Sequence, residues 1–162
     1  MKKERVNKAE IKLIGLSACT NNRNEMNPST AKIGELVSRF WNENIAERLR
    51  ERINPGVTFS VYTDYVSDEH DDYTYFIGEE VDSIEYIPAG LQKLIIPAAE
   101  YQKFTTPAGK MPDVVVHAWQ QIWKMSPAEI GGQRAYRADF ELYDQRASDL
   151  TNAIVDIYIG VK

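Results

Sequence analysis

The chain is poor in the residues that usually announce catalysis. It carries one cysteine and two histidines in 162 residues, so an internal disulfide is impossible and no zinc ligand set stands out. Cys19 follows the apolar run from Leu13 to Ala18, where a small buried hydrophobe is expected rather than a nucleophile. His117 has no second histidine four residues away, which predicts a partly buried structural side chain. His70 lies among Asp68, Glu69, Asp71 and Asp72, but the run lacks the spacing and glycine of a calcium loop, so a solvated turn is expected and no metal is assigned. No serine occupies a nucleophile-elbow motif. Gly131 and Gly132 follow a helical stretch instead of opening one, so they make no phosphate loop. Nothing here calls for a cofactor.

Positive charge is also in deficit. Lysine and arginine number 19 against 24 aspartates and glutamates, a net charge of -5. Nucleic acid is a poor partner for such a balance, because phosphate binding needs a basic face. An anionic membrane surface is equally poorly served. Long apolar runs are missing too: no window reaches the length of a membrane span, and the opening Met-Lys-Lys-Glu-Arg-Val-Asn-Lys leads into no secretory signal. A cytoplasmic protein is expected.

What is present reads as one domain, residues 1–162, with 43% hydrophobic and 27% charged residues. Ile11 to Thr20 is strand-like, and the Asn- and Pro-containing stretch 21–28 reads as a loop. A helix is expected over 29–52, capped by Ser29 or Thr30, with Ile33, Leu36, Val37, Phe40, Trp41, Ile45 and Leu49 on one stripe. Asn54-Pro55-Gly56 ends it. Val57 to Val66 and Tyr73 to Val81 read as antiparallel partners. Leu91 to Thr105 reads as a strand region broken at Pro97, residues 112–124 as a second helix, and Tyr136 to Asp144 and Ala153 to Val161 as the last strands.

The elements therefore run βαββ and then βαββ, with repeat 1 about 10–81 and repeat 2 about 91–162. The spacing supports a duplication. Trp41 and Trp123 are 82 residues apart, as are Ile77-Gly78 and Ile159-Gly160, while Phe59-Ser60-Val61-Tyr62 and Phe140-Glu141-Leu142-Tyr143 are 81 apart. The fold expected is α+β, two βαββ repeats related by a pseudo-twofold, with a ligand cleft between the sheets. Because both repeats lie in one chain, a monomer is expected.

A duplication separates what every repeat needs from what one site needs. The matched tryptophans, phenylalanines and tyrosines are assigned mainly to packing. Glu141 stands where the first repeat has Ser60, and Trp119 where it has Val37. These two differences add one negative charge and one large aromatic face, the components that bind an organic cation. In an extended strand Phe140 and Leu142 point one way and Glu141 and Tyr143 the other. An ordinary half-exposed strand gives the same alternation.

Several stretches together resemble the GyrI-like effector-binding domains, the ligand-sensing modules of multidrug-responsive and AraC-type bacterial transcription regulators that also occur as stand-alone proteins. The resemblance rests on Pro97-Ala98-Ala99-Glu100-Tyr101-Gln102-Lys103-Phe104 with Gly109, on the helix holding Trp119 and Trp123, on Asp139-Phe140-Glu141-Leu142-Tyr143 and on Asp156-Ile157-Tyr158-Ile159. It departs at Gly160, where many members carry proline. The resemblance implies two SHS2-like modules with a cleft between them, and a cleft glutamate, here Glu141, that meets lipophilic or cationic small molecules. Glu141, Trp119, Tyr143, Tyr101 and Tyr62 are the ligand-binding residues so implied. A stand-alone sensor or sequestering protein is the function expected, without a helix-turn-helix segment and without nucleic acid as partner. Two alternatives come with the same resemblance: a hydrolase of cyclopropane-containing alkylators, with Glu141 acting on water and Tyr143 or Tyr101 donating a hydrogen bond, and a gyrase-interacting protein.

Overall fold

The computed structural model describes residues 1–162, and all of its strands join one antiparallel sheet. They are β1 (Lys2–Lys8), β2 (Ile11–Thr20), β3 (Thr58–Thr63), β4 (Tyr73–Glu80), β5 (Gln92–Ile96), β6 (Ala99–Thr105), β7 (Ala138–Tyr143) and β8 (Asp156–Gly160). The helices are α1 (Asn22–Glu25), α2 (Ile33–Asn42), α3 (Asp113–Lys124) and α4 (Pro127–Ile130), with short 3₁₀ turns at Ile45–Arg48 and Gln145–Ala147. The spatial order β1-β6-β8-β7-β3-β4-β2-β5 reads outward in the same sense on both sides of the β7–β3 pair. The α+β class expected from the sequence stands. The strands of the two repeats merge into a single sheet, however, so a cleft between two separate sheets is replaced by one above the β3–β7 seam. Backbone pairing across that seam leaves no gap for a ligand to enter.

At its two edges the sheet is interlocked. β1 precedes β2 in the chain but pairs with β6, and β5 precedes β6 but pairs with β2. The register carries on unshifted from Lys8↔Ala99 to Ile11↔Ile96 across the breaks at Ala9-Glu10 and Pro97-Ala98. Both edges thus belong to one two-stranded ribbon, and the sheet curls back on itself. Its inner face is filled by Leu13, Phe59, Val61, Phe76, Tyr101, Phe140 and Tyr158. Phe140 stacks on Tyr158 with ring centres 4.5 Å apart.

The outer face carries the helices. Leu36 and Phe40 of α2 pack with Ile45 on Leu16, Tyr75 and Ile77, and Val115, Ala118, Trp119 and Ile122 of α3 pack on Phe104, Ile157 and Ile159. The close approach of β2 and β4 occurs at a glycine pair. Gly15 faces Gly78, and a Cβ on Gly15 would lie 1.8 Å from the Ile77 carbonyl oxygen. Only a residue without a side chain tolerates that approach.

Several local expectations are corrected. The first helix is shorter than 29–52: Asn44 takes the left-handed conformation at φ 49° and stops α2, as Asn does at low cost. Neither Ser29 nor Thr30 caps it. Glu25, at the end of the one-turn helix α1, accepts from the Lys32 and Ile33 amides at 2.9 and 3.0 Å, and its charge also suits the positive end of the helix. Glu25→Ala should therefore cost about 1 kcal/mol, read as a lowered urea midpoint at unchanged slope. The charged opening segment is itself the edge strand β1, held by Glu4–Lys103 and Arg5–Glu100 ion pairs; charge on an edge strand discourages pairing with other chains. Cys19 and His117 are exposed, because their positions fall on the outward sides of β2 and α3. Trp41 and Trp123 are 55% and 42% exposed, so core packing does not account for them. The 82-residue match of Gly78 with Gly160 also fails in the ladder: Phe59 faces Gly78, whereas Phe140 faces Tyr158.

Candidate functional site

Ser60 and Glu141 face one another at the centre of the β3–β7 seam. Two residues further along each strand stand Tyr62 and Tyr143. In an antiparallel pair those positions lie on the same face as the central pair and on opposite sides of it, so both hydroxyls can reach the one carboxylate. They do: Tyr62 Oη donates to Glu141 Oε2 at 3.1 Å and Tyr143 Oη to Oε1 at 2.5 Å. From α3 above, Trp119 Nε1 donates to Oε2 at 2.7 Å. Ser60 takes no part, its hydroxyl bonding that of Tyr75 at 2.7 Å.

Glu141 is only 3% exposed, and none of the ion pairs of the structure includes it. Burial pushes its carboxyl above the ordinary glutamate range, while the hydrogen bonds from Tyr143, Trp119 and Tyr62 pull against that shift. Burial and the nearby Glu141 charge push the Tyr62 and Tyr143 hydroxyls well up, so they stay protonated donors. Once ionised, a carboxylate with three neutral donors and no cation carries a negative charge that nothing in the protein neutralises, at a buried position. Such a charge attracts a cation that brings its own apolar surface.

The space for one exists beside it. Between α2 and the segment 144–150, above the seam, lies a cavity of about 1220 Å³ lined by Val37, Trp41, Tyr62, Tyr75, Glu141 and Tyr143 among others. A second cavity of about 410 Å³ adjoins the same glutamate on the α3 side and is lined by Tyr65, Val116, Trp119 and Trp123. Tyr62 stands at the hub of the aromatic wall, its ring centre 5.4 Å from Trp119 and 5.5 Å from both Tyr73 and Tyr75 in edge-on contacts.

The Cass2 family, described as integron-associated effector binding protein, matches residues 6–161. The chain belongs to that family. Among the relatives of this Cass2-family chain, YobU of Bacillus subtilis (strain 168), named as a candidate transcriptional regulator, is 27% identical over 148 residues, 91% of this chain and 90% of YobU. The crystal structure of the integron cassette protein VCH_CASS2 from Vibrio cholerae is 28% identical with a TM-score of 0.79, covering 99% of this chain and 95% of that one. The structure of SAV2435 bound to tetraphenylphosphonium has the same fold, with a TM-score of 0.78 at 19% identity over 100% of this chain and 94% of its own.

Of the five residues implied by the resemblance, the Cass2-family structure brings Glu141, Trp119, Tyr143 and Tyr62 together and leaves Tyr101 apart. Tyr101 is 1% exposed on the inner face of the sheet, its ring 5.2 Å from that of Phe140. It turns away because β6 presents Phe104, not Tyr101, to the helices. Trp41 and Trp123 also line the cavities, although their recurrence in both repeats points to packing. Tyr62 and Tyr143, which recur as a packing pair and are also expected at the ligand, both donate to Glu141. Their signal was the two-residue spacing from the facing Ser60 and Glu141. No helix is long and apolar enough to cross a membrane. The acidic turn is less solvated than expected, because Glu69 accepts from Tyr136 Oη at 2.6 Å and lies 3.6 Å from Arg134.

Proposed function

We propose that this chain binds lipophilic organic cations, with Glu141 as the charge that selects them and Trp119, Tyr62 and Tyr143 as the donors that hold that charge in place and supply flat apolar surface. The observation that carries the reading is a buried carboxylate without a counter-charge, set in the wall of a cavity large enough for a drug-sized molecule. Tetraphenylphosphonium bound to SAV2435, a protein of like fold, supports the same class of ligand. The biological role that fits is sensing or sequestration of such molecules within the cell. A sheet that closes within one chain supports a monomeric binding unit. Hydrolysis would use Glu141 as a base towards water; three donors on its two oxygens weaken it in that role and favour binding over turnover.

The direct test is calorimetric titration of tetraphenylphosphonium beside triphenylphosphine oxide, a neutral molecule with similar arms. The cation should bind at least about tenfold more tightly, a difference of about 1.4 kcal/mol. Equal affinity for the two would show that apolar contact alone drives binding and would remove Glu141 from its assigned part.

A further inference from the structure

The cavities on either side of Glu141 share a wall. Ile33, Tyr62, Met111, Pro112, Glu141 and Tyr143 line both. Ile33 opens α2, Met111 and Pro112 lead into α3, and the other three stand on the seam strands, so the two lobes meet along this shared wall, the waist of the cleft. Glu141 sits at that waist. On one side lies the lobe of about 1220 Å³ with Trp41 at its rim, and on the other the lobe of about 410 Å³ with Trp123 at its rim.

The waist is also where the only uncommitted negative charge lies. Asp144 in the large lobe is paired with Arg146 at 3.0 Å. In the small lobe Glu25 is occupied by the Lys32 and Ile33 amides, and Glu69 by Tyr136 and Arg134. Glu141 is the one carboxylate lining the cleft with neither a cation nor a backbone amide against it.

We propose that the cleft selects organic cations whose charged centre lies in the middle of the molecule, with apolar groups on at least two sides, so that the centre rests at Glu141 and one arm enters each lobe. This rests on the reading that the cleft binds lipophilic cations. A cation at the end of a single chain, anchored at the waist, fills one lobe and leaves the aromatic wall of the other in water. A centrally charged ligand removes apolar surface from water on both sides of the same ion contact.

The structure offers a way to obstruct each lobe separately. Gly34 lines the large lobe, and a Cβ added there meets nothing within 4 Å, so Gly34→Trp adds bulk to the wall of that lobe from a position with room for its Cβ. Val116 lines the small lobe from the exposed side of α3, so Val116→Trp narrows that one. Tetraphenylphosphonium serves as the centrally charged probe and dodecyltrimethylammonium as the end-charged probe, both titrated into wild type and the two variants after thermal unfolding has shown each variant to be folded. Tetraphenylphosphonium should bind wild type one to one and lose about tenfold or more in each variant, while dodecyltrimethylammonium loses affinity in one variant only. Unchanged tetraphenylphosphonium affinity in either variant overturns the proposal, and so does a stoichiometry of two per chain in wild type, a measurement that needs no variant. If wild type bound neither probe, the cation-binding reading itself would fall, and this proposal with it.

Discussion

Glu141→Gln should weaken tetraphenylphosphonium binding by about 2 to 5 kcal/mol, roughly 30-fold or more in Kd, while making the ligand-free protein more resistant to unfolding at neutral pH. The two effects have one cause. Folding strips water from Glu141 and returns only neutral hydrogen bonds, so the charge is held at a cost that a bound cation relieves. Glutamine keeps the shape: its carbonyl can accept from Trp119 and Tyr62, and its amide can donate to the Tyr143 oxygen. Removing one aromatic contact, as in Trp119→Leu, should cost on the order of 0.5 to 2 kcal/mol, so charge loss outweighs ring loss. Titration calorimetry with thermal unfolding of the same samples checks both parts. Wild-type affinity in Glu141→Gln would mark the acid as a bystander.

The same residue sets a pH dependence with a definite sign. Its carboxyl lies above the ordinary glutamate value of 4.5 in the folded chain, so between that value and the raised one the folded state holds more protons than the unfolded state. Stability from this group therefore falls as pH rises through the window and levels off above it. Cation affinity should move the opposite way, increasing as Glu141 ionises, with proton release on binding inside the window. Glu141→Gln should remove this contribution from both profiles.

Asp139→Ala should destabilise the fold by about 3 to 5 kcal/mol, the largest stability effect expected of an acidic residue here. Asp139 is fully buried and accepts from Arg134 Nη2, Tyr65 Oη and the Gly160 amide at 2.7, 2.7 and 2.8 Å. Without it the Arg134 guanidinium, itself almost wholly buried, keeps only a longer contact with Glu69 and stacking on Tyr136. Asp139→Asn should lose less, because it still accepts hydrogen bonds. Urea unfolding of the two variants separates the charge from the shape, and equal, small losses would show that water reaches the pair.

Glu141 and Asp139 also show how far the sequence could be read. Alternation along β7 placed Phe140 and Leu142 on the core side and Glu141 and Tyr143 on the other, and the 81-residue offset picked out Ser60 and Glu141, which do face each other. Both are local patterns or simple repeats, and β7 obeys them because its two faces differ sharply in polarity. Tyr101 was misplaced because β6 has an aromatic on each face, at Tyr101 and Phe104, so its own sequence cannot say which one meets the helices. The exposure of Trp41 and Trp123 is a tertiary property that their recurrence in the two repeats does not encode. The Glu25 cap escaped detection because it reaches across a loop from a separate helical turn, beyond the usual capping position. Strand β1 was hidden for a similar reason, since a charged edge strand owes its conformation to the partner across the ladder.

The crossed edges of the sheet bear on how the chain reaches this state. When the first repeat leaves the ribosome, β1 lacks β6, β2 lacks β5 and β3 lacks β7, so three strands wait with open edges for a segment not yet made. Contacts between such distant stretches form slowly and expose the nascent chain to mispairing. The last of these joints, β3 with β7, is the floor of the cleft. A ligand seated on it recognises only the assembled pair of repeats and so draws the newly made chain towards the folded state by mass action.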